Sequence, residues 1–200
     1  MAIAARPLPI TPAAVEQRMV IHGVRWQDYV SLREALDTPG LRMTYCQGTL
    51  ELMTTPVAHE LDKKSIARLV ELYAVLRDLP LIGYGSPTFR LEAKQRGAEP
   101  DECYRLGRVM KEGEFPDIVL EVIHTNPLLD KLEVYQGFGV PEVWLYKDGT
   151  FELYQLASDQ YERVARSGLL PDLDFALIAR LAAGPDQHAS LRELRRVLGA

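Results

Sequence analysis

Residues 116–135 read PDIVLEVIHTNPLLDKLEVY. The apolar, β-branched run Ile118 to Ile123 lies between Pro116 and Asn126-Pro127, which predicts a buried strand. A turn follows, then a helix over 128–138 that stops at Gly139, with Pro141 beyond. From Ile118 to His124 only Glu121 carries a charge. A carboxylate inside an apolar strand destabilises the fold unless a partner or a metal compensates it. Alternation puts Asp117, Val119, Glu121 and Ile123 on one side, and Ile118, Leu120 and Val122 on the other. Glu121 thus projects from the middle or C-terminal part of a central strand, where α/β proteins place their chemistry.

Outward from this stretch, VWLY and FELYQL flank Lys147-Asp148-Gly149, a hairpin signal. Tyr161 to Val164 adds a strand, and helices follow over 175–181 and 190–198. Upstream, Trp26, Tyr29, Val30, Arg33 and Leu36 recur at helical spacing within 24–36. LRMTYCQGTLELM, 41–53, reads as a hairpin turning at Gln47-Gly48. In the helix over 59–78, Ile66, Leu69, Val70, Tyr73 and Leu76 form one stripe. Short strands are expected at 81–84, 88–91 and 99–106. This order predicts an α/β fold with one mixed central β-sheet flanked by helices. Residues 1–18, rich in Ala and Pro, read as a loose arm; 19–183 read as a single domain; 184–200 end in an amphipathic helix suited to docking on the core or on another subunit.

Glu99-Pro100-Asp101-Glu102-Cys103-Tyr104 is the second element of interest. If this strand pairs with 118–123, Asp101 and Glu121 can meet. Two adjacent carboxylates repel, and a hard divalent cation relieves that by taking oxygens from both. Lys131, at the start of the next helix, can reach back to offset charge on a phosphate. Each residue also has a plain reading. Asp101 can simply follow a proline at a strand entrance, Glu121 can pair with a buried base, and Lys131 can be a solvated helix residue beside Asp130 as cap.

The chain has 200 residues, 47% hydrophobic and 26% charged, as in ordinary globular domains. No apolar run approaches the ~20 residues that span a bilayer, and no signal-peptide layout opens the chain. Two cysteines, Cys46 and Cys103, are too few for a disulfide framework and suit a reducing cytoplasm. No Cys/His cluster has zinc spacing. The net charge of -5 argues against a protein that coats polyanions, though basic residues gather at 63–68, 90–96 and 105–111.

The segments TYCQGTLELM, AHE, EPDECY, PDIVLEV, LDKLEVY and GVPEVWLY occur in that order. Over about residues 20–180 the chain resembles the bacterial Uma-two family of restriction-endonuclease-type proteins, part of the PD-(D/E)XK nuclease superfamily. The resemblance implies a restriction-endonuclease-like core and an Mg²⁺-dependent (or Mn²⁺-dependent) endonuclease that hydrolyses DNA, and many nucleases of this fold act as homodimers. Matched block by block, it puts the metal-holding acids at Asp101 and Glu121, the helix-borne lysine at Lys131 and a helix acid at Glu60, with His59 beside it as a supporting or structural residue. Two positions depart from the pattern. Ile123 stands where the superfamily's lysine usually lies, and Cys46 where relatives often carry an acid. A binding or regulatory module that keeps the fold without catalysis is the competing reading. A nuclease for single-stranded or structured nucleic acid is a third, with Tyr84, Tyr104 and Tyr135 as stacking candidates.

Overall fold

The computed structural model describes residues 15–38 and 40–199. Its core is a six-stranded mixed sheet. The strands are β4 (Leu81–Gly83), β7 (Glu102–Leu106), β8 (Ile118–Ile123), β9 (Glu142–Lys147), β10 (Thr150–Ala157) and β11 (Gln160–Val164). Their spatial order is β11-β10-β9-β8-β7-β4, with β8 and β9 parallel and every other pair antiparallel. All six residues of β8 are buried, which explains its unbroken apolar pattern.

One face of this sheet, through Ile118, Leu120, Val122 and Trp144, packs on α2 (Val57–Leu76). Helices α4 (Phe175–Ala182) and α5 (Gln187–Val197) lie against α2 and close the same core, so the C-terminal amphipathic helix docks on its own chain. The other face, through Cys103, Val119 and Val143, packs on Val134, Tyr135 and Phe138 of α3 (Lys131–Phe138). Alternation along β8 therefore sorts side chains as the sequence predicts. Asp130 caps α3, its Oδ1 accepting from Leu132 N at 2.9 Å, and Gly139 ends the helix with φ +72°.

The expectation of a single sheet needs correction. A second, five-stranded antiparallel sheet runs β1-β3-β2-β6-β5. It is built from β1 (Arg18–His22), β2 (Leu41–Cys46), β3 (Thr49–Thr54), β5 (Phe89–Leu91) and β6 (Arg96–Ala98). It has its own core of Trp26, Tyr29, Met43, Tyr45 and Leu50 under α1 (Trp26–Ala35). The strand expected over 99–106 is shorter at its start: it is β7, which begins at Glu102, and residues 99–101 link it to β6 of the other sheet. Helix α3 lies between the sheets, in contact with β2 and β6. Gly137 permits this, because a Cβ there would come 2.5 Å from Arg96 Cγ.

Residues 1–14 of the expected arm lie outside the described residues. The last residues of that span are not loose: Glu16 is buried and Arg18 opens β1. No helix among the described residues is long and apolar enough to cross a membrane.

Candidate active site

The last registered pair between β7 and β8 is Glu102 with Leu120. One further step along that register sets Asp101 against Glu121, on the α3 side. Both are buried, Asp101 at 1% and Glu121 at 3% exposure. Lys131, at the first position of α3, is buried as well, and its Nζ lies 3.3 Å from Glu121 Oε1. Tyr135, one helical turn on, donates its hydroxyl to the same oxygen. No hydrogen bond among the described residues engages Glu121 Oε2. The three residues expected at the site thus meet near the C-terminal end of β8.

Asp101 is gripped from two sides. Its Oδ2 accepts from Val122 N at 2.8 Å, and its Oδ1 lies 2.9 Å from His59 Nε2. The other ring nitrogen, His59 Nδ1, is 3.0 Å from Glu16 Oε2. Burial pushes the Asp101 carboxyl up, but the hydrogen bond and charge of His59 outweigh it, so it stays below the usual carboxylate range. Burial likewise favours neutral His59, and the hydrogen bonds to Asp101 and Glu16 override it, raising its pKa to about 10. For Glu121 burial prevails over the nearby Lys131 charge, and Asp101 adds to the rise. Two coupled acids therefore sit in different environments, one held ionised by an imidazolium and the other pushed up.

The five-stranded sheet holds this arrangement from outside. Glu51 on β3 accepts from Leu128 N at 2.5 Å and Leu129 N at 3.2 Å, pinning the loop that leads into Lys131. Arg18 on β1 joins Glu51 to Glu16, with contacts of 2.7 Å and 2.9 Å. Glu16 also accepts from Thr125 N at 3.2 Å, just past β8. Sequence reading missed Glu16, which lies in a segment with no periodic signal. It ranked His59 below Glu60, although the histidine is the one that reaches Asp101.

Glu60 is not brought together with the other three. Its side chain is 40% exposed, 2.6 Å from Lys63 Nζ and 3.9 Å from an Arg42 nitrogen. Helical geometry explains this: consecutive residues point about 100° apart, so only one of His59 and Glu60 can face the sheet. Tyr104 and Tyr135 are fully buried and offer no open stacking face, whereas Tyr84 is partly buried against the α3-side core and its hydroxyl accepts from Met110 N. The basic clusters are largely tied internally, through Lys63–Glu60, Arg68–Gln187, Arg96–Glu133, Arg105–Asp117 and Arg108–Glu114. No group of three or more His, Cys, Asp or Glu side chains that could hold a metal ion forms among the described residues.

Two acids and a lysine meeting at the C-terminal end of a strand in a mixed sheet define a class, the α/β proteins with a buried acid–acid–lysine site. Residues 26–180 match the Uma2 family, described as "Putative restriction endonuclease", and the chain belongs to that family. No curated protein matches the chain. Among solved structures it is similar to a protein from Anabaena variabilis ATCC 29413 described as a putative nuclease belonging to DUF820. That similarity has 14% identity and a TM-score of 0.47, and covers 80% of this chain and 98% of the other.

Proposed function

We propose that the protein is a metal-dependent endonuclease acting on DNA, with Asp101, Glu121 and Lys131 as its catalytic residues. The observation that carries this reading is the junction of Asp101, Glu121 and the Lys131 ammonium, 3.3 Å from Glu121 Oε1, at the end of a buried parallel strand. Two carboxylates from adjacent strands are hard oxygen donors. They suit Mg²⁺ or Mn²⁺, which take one or two carboxylates and complete their shell with water and substrate oxygens. Asp101 and Glu121 would hold the ion. When bound, it would supply Lewis-acid polarisation of the scissile phosphate and ease deprotonation of water.

The chain's own groups do the rest. His59 and Glu16 fix the orientation of Asp101. Tyr135 holds Glu121 Oε1. Lys131 Nζ orients the attacking water and offsets charge that grows on the phosphate oxygens. Glu60, paired with Lys63, has no part in this assignment. A homodimer and a cytoplasmic setting belong to the same proposal. Pairing of subunits would bring the basic stretches of two chains, at 63–68, 90–96 and 105–111, to one duplex, and two free buried thiols suit a reducing compartment.

The test is Lys131→Ala, assayed with plasmid and oligonucleotide DNA in Mg²⁺ and in Mn²⁺. Cleavage should fall by ~10³-fold, the scale seen when one electrostatic stabiliser is removed, while circular dichroism stays native. A folded Lys131→Ala protein that cleaves like wild type removes Lys131 from the mechanism. One observation favours the second reading, a non-catalytic module: both oxygens of Asp101 are already engaged inside the chain. Calorimetry separates the two, since a module would bind neither Mg²⁺ nor Mn²⁺ at millimolar concentration with DNA present.

A further inference from the structure

A cavity of about 370 Å³ opens beside the Glu121–Lys131 pair. Its floor and walls are Ile123, Leu145, Lys131, Leu132, Leu128 and Asn126. Each wall connects to the site. Ile123 lies two residues beyond Glu121, on the same side of β8. Leu145 is the registered partner of Glu121 across the parallel β8–β9 pair. Lys131 bridges the cavity and the carboxylate. Through Lys131 the hollow adjoins the acid–acid–lysine site, while Asp101 and Glu121 themselves lie behind its walls.

Its chemistry is not that of a second phosphate site. Four of the six groups are aliphatic. The one ammonium at the hollow, that of Lys131, lies at its inner edge against Glu121. The rim also carries the carboxylate of Asp130, which caps α3 and repels anions. The one neutral polar group is Asn126. Lys147 Nζ donates to its Oδ1 at 2.9 Å, while its NH₂ has no partner among the described residues and is free to donate. Apolar walls with one free donor suit a nucleobase, whose faces pack between apolar side chains and whose edge carries acceptors. The volume is near the low end for small-molecule sites, which run from ~300 to ~1,000 Å³. It is large enough for one base, and a base enters such a hollow only when its faces and edge are clear of the duplex stack.

The geometry points to a pocket for a single unpaired nucleobase flanking the scissile phosphate, so that the enzyme selects nucleotides standing out of a duplex. This rests on the endonuclease reading and narrows its substrate class. A base can reach the pocket from single-stranded DNA, from a bulge or mismatch, or by flipping out of a duplex, where unstacking slows entry.

The experiment measures kcat/KM with Mg²⁺ for wild type and for Leu128→Trp, which fills the cavity from its mouth at a position 59% exposed and so spares the core. Substrates are single strands, bulged and mismatched duplexes and perfect duplexes, each also made with an abasic residue on either side of the cleaved bond. Wild type should cut unpaired sites at least tenfold faster than a perfect duplex, and lose about tenfold when one flanking base is removed. Leu128→Trp should lose about tenfold on the ordinary substrate and match wild type on the abasic one, where the added indole takes the place of the missing base. Asn126→Ala, which removes only the free donor, should raise KM and leave kcat unchanged. Indifference of wild type to the abasic residue on both sides overturns the pocket while leaving the nuclease standing. Equal losses by Leu128→Trp on ordinary and abasic substrates overturn it too. No cleavage of any substrate overturns the endonuclease reading, and the pocket with it.

Discussion

Two glutamates, Glu121 on β8 and Glu142 on β9, lie on adjacent parallel strands and are equally hidden, at 3% and 1% exposure. They sit at opposite ends of the pair. Glu142 registers with Ile118, where β8 starts, and Glu121 registers with Leu145, nearer where β9 ends. The partners differ more than the depth. Glu142 takes four neutral donors: Trp144 Nε1 at 3.0 Å, Ser167 Oγ at 2.6 Å, Gly168 N at 2.6 Å and Leu169 N at 3.0 Å. Those bonds fasten the 167–170 turn to the sheet, and no other charge takes part. Glu121 instead faces an ammonium and a second carboxylate, and one of its oxygens remains uncommitted. Burial of an acid therefore does not mark a site. Neutral donors around it make an anchor, whereas a base and another acid make an arrangement that can exchange partners.

The sharpest way to break this contrast is a matched pair of substitutions. Glu121→Gln keeps shape and volume and removes the charge. DNA cleavage should fall by ~10³-fold or more, at least about 4 kcal/mol in the barrier, with little change in thermal midpoint, since Asp101 still faces Lys131. Glu142→Ala should do the reverse. It leaves the amides of residues 168 and 169 and the Trp144 indole without acceptors, costing about 3 kcal/mol of stability in urea unfolding. Cleavage per folded molecule should stay within twofold. If Glu142→Ala lowers activity as deeply as Glu121→Gln, the two carboxylates do not divide labour as their partners imply.

Much of this was legible in the sequence. The unbroken run 118–123 gives the central strand, its alternation places Glu121, and the helix start places Lys131, because local pattern controls all three. The hairpin turns at Gln47-Gly48 and Asp148-Gly149 were equally legible, since all four residues adopt positive φ there. What could not be read depends on contacts far apart in the chain. The second sheet joins β1 to β3 and β6 to β2 across long separations. Glu16 meets Thr125 across 109 residues, and His59 meets Asp101 across 42. Nothing local marks β1, because an edge strand paired on one side needs little pattern of its own.

Glu16 lies between the two extremes and offers the finest test. It is an anchor in that it holds Thr125 and Arg18, and part of the site in that it orients His59. Burial raises its pKa, but His59, Thr125 and Arg18 more than compensate, bringing it from 4.5 to about 2. A carboxyl depressed by folding stabilises the native state fully above its ordinary value, and that contribution is lost as pH falls from about 4.5 through about 2. Linkage alone gives roughly 3 kcal/mol. Arg18 stays paired with Glu51 in a Glu16→Gln variant, so about 2 kcal/mol is expected at neutral pH. Stability of the variant, followed by urea unfolding from pH 7 to pH 2, should start lower and fall less steeply below pH 4.5 than wild type. A parallel offset at every pH would mean that Glu16 acts through packing alone. In that case its link to His59 would not carry charge toward Asp101, and the support of the site from the five-stranded sheet would rest on Glu51 and the loop it pins.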